Sequence, residues 1–233
     1  DFAGTVNVTG GVLTIERGAD LQLTGDDIDA TLENYGKITV KNGVSTLDGT
    51  FTQFSSGELI IDSVAGIEEG GGQGAGVEIA ATNLDNLGLI QLDNSVFSEV
   101  PLYPSVLTID GGNGSLTNAS GATIESLDTG GNLSNNQGSH VIDAQLINDG
   151  KLEVGAGLVL NSASGHTNTG LIVLKDWATL TFQGGSNFTN TGTLYGEGTV
   201  ASASMPFINE GILEPQSTPG TAANLTFSSS LDL

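Results

Sequence analysis

"LINDGKLEVGAGLVLNSASGHTNTGLIVL", residues 146–174, holds an Asn-x-Gly triplet, an apolar alternation and a second Asn-x-Gly triplet, with Asn148 and Asn168 20 residues apart. The strict triplet recurs at Asn34, Asn86, Asn190 and Asn209. Looser versions extend the series: Gln53 stands in the asparagine position of "FTQFSSGELII", Asn118 precedes Gly121, and Asn135 precedes Gly138. A repeat of about 20 residues predicts a solenoid, in which each unit buries its apolar face only by stacking on the next.

After each glycine the apolar residues alternate. Ile38/Val40, Ile90/Leu92, Leu152/Val154 and Ile172/Leu174 occupy equivalent places, and a period of two turns one face inward. "GADLQL" (18–23), "GAGLVL" (155–160) and "WATLTF" (177–182) read as a second equivalent set. A third apolar position precedes the asparagine, at Leu32, Leu84, Leu116, Leu133, Leu146, Phe188 and Phe207. No segment sustains a 3.6-residue period. The pattern predicts an all-β right-handed parallel β-helix with about 20 residues and three short strands per coil. The chain would make roughly 11 coils, a rod on the order of 50 Å long. The asparagines and glycines are then expected at turns, where both tolerate a left-handed backbone, and stacked asparagines are expected to form an amide ladder.

Composition narrows the function. The 233 residues carry 27 Asp plus Glu against five basic residues, Arg17, Lys37, Lys41, Lys151 and Lys175, for a net charge of -22. That balance argues against nucleic-acid binding and against binding an anionic membrane surface. No apolar run reaches the length of a membrane span. The chain has no cysteine, which excludes thiolate chemistry; a secreted chain with a large core does not need disulfides. The opening "DFAGTVNV" lacks a signal-peptide pattern, as expected of a mature chain or an excised piece.

Candidate sites are sought where the repeat is interrupted. Gln53 to Asn86 spans 33 residues and Asn86 to Asn118 spans 32, each a coil plus about a dozen extra. The excess falls in loops near 64–76 and 95–106, and solenoid insertions gather on one face, often the binding face. Glu68 and Glu69 in the first loop, and Phe97 and Tyr103 in the second, are the candidate partner-binding residues. Asp26, Asp27 and Asp110 offer carboxylate oxygens of the kind Ca²⁺ takes, though none lies in a recognised calcium loop. No other cofactor is implied. His140 and His166 are isolated and are expected as exposed turn residues. "TGDDIDA" (24–30) superficially matches the paired aspartates of galacturonan hydrolases, but the His-Gly and Arg-x-Lys elements are missing.

The last 25 residues, "NEGILEPQSTPGTAANLTFSSSLDL", carry a more specific signal. They resemble the G-x-L-x-P-G-x-S-P-G-T-L-x-x-x-G-x-L-x-L pattern of autotransporter passenger domains and related large bacterial surface adhesins. The match runs through Gly211, Leu213, Pro215, Ser217, Pro219, Gly220, Thr221, Leu225, Leu231 and Leu233, with Gln216 where the family has Gly. The resemblance implies a secreted or surface-displayed bacterial chain, a piece of a larger adhesin. It implies adhesion, self-association or biofilm contacts with a host or neighbouring-cell surface protein or glycan. The expectation is therefore one β-helix domain over residues 1–233 that is not an enzyme. The alternatives are a carbohydrate-active enzyme, either a polysaccharide lyase or a glycoside hydrolase, and a purely structural stalk.

Overall fold

The computed structural model describes residues 8–63, 74–95, 104–129, 139–175, 178–185, 187–202, 206–216, 224–228 and 230–232. They are almost wholly β, with one short 3₁₀ turn at Asp110–Gly112. All the strands pair in parallel and stack as a solenoid. A flat sheet of nine strands runs from Asp20–Leu23 through Lys151–Val154 and Leu171–Leu174 to Ile212–Pro215. The other 18 strands form a sheet with two rows, one containing Leu158–Ser162 and the other His166–Asn168. The two long strands Val8–Ile15 and Asp27–Asn34 run along both rows. Nine strands in the flat sheet are fewer than the roughly 11 coils anticipated, because three coils carry long excursions.

The alternation does what its period requires. Ile38, Val40, Ile90, Leu92, Leu152, Val154, Ile172 and Leu174 all lie in the interior. Leu158, Leu160, Leu180 and Phe182 line a second wall of the same continuous core. Toward the C-terminus aromatic rings take over the filling. Phe182 and Phe188 stack with centroids 4.4 Å apart, Phe188 and Phe207 at 5.2 Å, and Phe227 tilts against Phe207 at 5.2 Å. "GADLQL" belongs elsewhere than anticipated. Leu21 is in register with Ile38 in the flat sheet, not with the row of Leu158.

The asparagines form the expected ladder. Asn148 Nδ2 donates to Asn168 Oδ1 at 2.6 Å, Asn168 to Asn190 at 2.6 Å, and Asn190 to Asn209 at 2.7 Å. Earlier coils repeat the contact from Asn34 to Gln53, Asn86 to Asn118 and Asn118 to Asn148. Gln53 breaks the amide relay: its longer side chain donates instead to the carbonyls of Gly57 and Leu89. Ladder partners lie 19, 32, 30, 20, 22 and 19 residues apart along the chain. Asn135 lies outside the described residues, and Asn118 bonds directly to Asn148 at 2.7 Å. The ladder begins at Asn34, whose Oδ1 has no partner among the described residues, because the residue in register with it is Ile15.

The reason for the glycine differs from expectation. Gly121, three residues after Asn118, has a positive φ, but among the described residues no asparagine of the ladder and no glycine two residues after one does, and the only non-glycine residues that do are Asn42 and Asp110. Space decides instead. A Cβ on Gly170 would sit 2.2 Å from the Gly150 carbonyl oxygen, on Gly192 2.2 Å from that of Gly170, and on Gly211 2.1 Å from that of Gly192. Each glycine two residues after a ladder asparagine lies directly against a backbone carbonyl of the coil before it, whereas Gly121 has open space around it.

Asn148→Leu leaves the Asn168 side-chain oxygen buried without its donor, which is expected to cost about 1–3 kcal/mol, while the Asn118 amide keeps the Lys151 carbonyl as its acceptor. Gly170→Ala overpacks the corner and is expected to cost about 1–3 kcal/mol or more. Gly185→Ala, whose Cβ would meet its nearest atom at 3.5 Å, is the neutral control. Urea unfolding of the three variants checks the order; equal midpoints for Gly170→Ala and Gly185→Ala would sink the steric account.

Candidate functional site

The flat sheet has two edges, and both matter. Its strands start just after the asparagine corner and end where the chain makes its long excursions. At the excursion edge Asp62 and Asp93 are in register on neighbouring strands. Asp62 accepts from the Ser95 amide at 3.0 Å and the Ser95 hydroxyl at 2.7 Å. Asp93 accepts from the amide and hydroxyl of Thr129 at 3.0 and 2.8 Å. Ser63 and Ser105 are buried with their hydroxyls 3.0 Å apart, and the carbonyls of Pro104 and Asp93 accept from them.

His140 lies in this network and is buried, not exposed as anticipated. Its Nδ1 accepts from the Ser105 amide at 3.1 Å, so the proton sits on Nε2, which donates to the Leu127 carbonyl at 2.8 Å. The basic nitrogen is thus committed to an amide, and neither serine hydroxyl has a base to activate it. Burial holds the His140 imidazole below its ordinary value against the pull of the Leu127 hydrogen bond and nearby aspartates. His166 is buried as well. Its Nδ1 accepts from the Leu146 amide at 3.0 Å, and burial pushes its pKa down to about 4.

Glu68, Glu69, Phe97 and Tyr103 lie outside the described residues, as do most of the two loops that carry them. A third interruption, residues 130–138, leaves the same edge. "NNQG" inside it imitates the repeat, which hid the interruption. The aspartates proposed for Ca²⁺ are not brought together. Asp26 is buried and accepts from the Thr24 amide at 2.6 Å, while Asp27 is exposed beside it. Asp110 follows a strand separated from theirs by two others. No group of three or more His, Asp or Glu suited to a metal occurs among the described residues.

The asparagine edge presents a different surface. The residue after each ladder position faces outward, and its identity changes along the rod: Tyr35, Phe54 and Leu87, then Ala119, Asp149, Thr169, Thr191 and Glu210. The first part is aromatic and apolar; the rest is mostly acidic or hydroxylic. Tyr35 and Phe54 stack with ring centroids 3.9 Å apart and planes 11° from parallel. Beside them is a cleft of about 420 Å³ lined by Arg17, Asp20, Tyr35, Lys37, Ser56 and Glu58, with glycines and Ala19 between.

No protein-family model, curated protein or solved structure matches this chain. The cleft is therefore weighed by its chemistry alone. Four of the five basic side chains are neutralised by carboxylates: Lys37 pairs with Asp20, Lys41 with Asp62, and both Lys151 and Lys175 with Glu153. Burial would raise the Glu153 carboxyl, but hydrogen bonds from the two lysines hold it below its ordinary value. Arg17 alone has no carboxylate partner among the described residues. Its Nε donates to the Ser56 hydroxyl at 3.2 Å. The sequence held every one of these residues, but Arg17 and Ser56 are 39 apart, and only the register joins them.

Both imidazoles are neutral when folded and titrate near 6.5 when unfolded. Their folded values are lowered. Their contribution to stability is therefore fully present above about pH 6.5 and falls away as the pH drops below it, for His166 down to about 4. The NMR ring-proton shift of His166 is expected to hold its neutral position down to about pH 4; a midpoint near 6.5 would contradict its burial.

Proposed function

We propose that this chain is a binding rod of a secreted or surface-displayed bacterial adhesin, attaching to a host or neighbouring cell. In this reading it is a right-handed parallel β-helix with about 20 residues and three short strands per coil. The observation that carries the proposal is the asparagine edge. A buried ladder fixes its spacing, and its first outward positions, Tyr35, Phe54 and Leu87, are aromatic or apolar on a chain of net charge -22. An acidic rod repels most surfaces by its long-range field. An aromatic strip with one unneutralised arginine is where close contact is favourable, since aromatic residues and Arg supply most of the energy in typical interfaces. The C-terminal resemblance to autotransporter passengers supports the surface setting.

Beads coated with the purified chain test this. They are expected to be retained on cultured host cells or on cells of the source bacterium. Tyr35→Ser with Phe54→Ser should reduce retention at least fivefold, while Phe97→Ser with Tyr103→Ser should change it less. Equal retention of the edge variant and the parent chain would remove the edge from the contact. Loss only in the second variant would move the contact to the excursion loops.

A further inference from the structure

We infer that the cleft at the asparagine edge is a carbohydrate site that holds one neutral sugar residue of a cell-surface glycan. This rests on the reading of the chain as a binding rod and names its partner chemistry. The cleft arises from an alternation of corner lengths. Residues 16–19 make a full turn, closed by the Ala19 amide on the Glu16 carbonyl at 2.9 Å, with Gly18 at φ 80°. Residues 54–57 make another, closed by the Gly57 amide on the Phe54 carbonyl at 2.8 Å. Between them Asn34-Tyr35-Gly36 turns without an extra residue. Two protruding corners therefore flank a recessed one, and Tyr35 forms the floor. The cleft's volume, about 420 Å³, lies within the usual range of small-molecule sites, about 300–1,000 Å³.

The lining selects the occupant. Arg17 and Lys37 are donors, Asp20 and Glu58 are acceptors, and the Ser56 hydroxyl can act as either. The two cations and two carboxylates sum to no formal charge. An anionic sugar would meet Asp20, Glu58 and the field of the whole chain; an apolar peptide would leave the charged groups desolvated without partners. A neutral polyol, which donates and accepts at every hydroxyl, satisfies the mixed lining best. The aromatic floor matches the apolar C–H face of a sugar ring. Phe54 backs Tyr35 from the next coil, so little freedom is lost when a ligand settles on it.

The same carboxylates are suited to holding the sugar, not cleaving it. Asp20 and Glu58 stand on either side of Lys37 in one column of the flat sheet. Glycoside hydrolysis needs one carboxylic acid kept protonated by an apolar pocket. Asp20 has 41% of its side chain exposed and pairs with Lys37 at 3.9 Å, and Glu58 is exposed.

A printed glycan array decides the matter. It would carry oligosaccharides ending in glucose, galactose, mannose or N-acetylhexosamine, next to sialylated and sulfated counterparts. The chain is expected to be retained by a subset of the neutral glycans. Tyr35→Ala and Arg17→Ala should each lower that signal about tenfold, roughly 1.4 kcal/mol. Tyr35→Phe, which keeps the ring, should stay within threefold, and Asp149→Ala, farther along the same edge, should have no effect. Retention only by charged glycans, retention indifferent to Tyr35→Ala, or no retention would each overturn the proposal. Release of new reducing ends during incubation would overturn it in favour of an enzyme. Cell attachment that depends on Tyr35 and Phe54 without glycan retention would end the sugar assignment and leave the binding rod standing. Tyr35-dependent glycan retention without cell attachment would do the reverse.

Discussion

Parallel coils stack at the interstrand distance of about 4.8 Å, and that spacing constrains everything at the asparagine corner. At that distance the carbonyl of one coil reaches the α-carbon of the next coil's glycine, so any side chain there would collide with it. The asparagine two residues earlier points inward and must find partners for a whole primary amide in the dark of the core. It finds them because the neighbouring coils present the same group at the same height. From Asn118 to Asn190 each rung accepts from the one before and donates to the one after, and the backbone takes part of the rest, as when Asn118 Nδ2 also donates to the Lys151 carbonyl. The glycine lets the coils approach, and the ladder makes the approach favourable.

The fold was largely legible in the sequence because this constraint leaves a mark at every coil. Asn-x-Gly and the alternation after it located the rungs, including the substitution of Gln53. What was misread has physical causes. The glycines were assigned to a left-handed backbone because most turn glycines need one; close approach between coils distant in sequence leaves no local signature. Asn135 and Gly138 reproduce the spacing of a rung in the sequence, but the ladder passes directly from Asn118 to Asn148. The histidines looked exposed because each stood alone in the sequence. In the structure each accepts an amide proton from a strand one coil away, Ser105 for His140 and Leu146 for His166.

The candidate site was less legible for a related reason. Arg17, Tyr35 and Ser56 sit in three successive corners, and their approach depends on which corners are long and which are tight. "ERGA", "NYG" and "QFSSG" spell out those lengths, yet the notch appears only when the corners are stacked in register. Suspicion fell instead on the long interruptions. Part of what those interruptions do is now visible: their stems close over a buried network of Asp62, Ser63, Asp93, Ser105 and His140 that serves the fold.

The ladder also explains how a surface along this edge can vary without cost to the rod. The inward Asn and the tight Gly are fixed by packing, but the residue between them points to solvent and carries no structural duty. That position runs from Tyr35 and Phe54 at one end to Asp149, Thr169 and Glu210 toward the other. Where it is polar it adds only local contacts, such as the Thr169 hydroxyl donating to Asp149 at 2.6 Å. A rod built this way can change one outward column of side chains by substitution, while the interior that sets its length and stiffness stays the same. Tyr35 and Phe54 are half-buried against each other, so the pair covers part of its own apolar surface at this edge, and the later coils hold their ladder without a ring at that position.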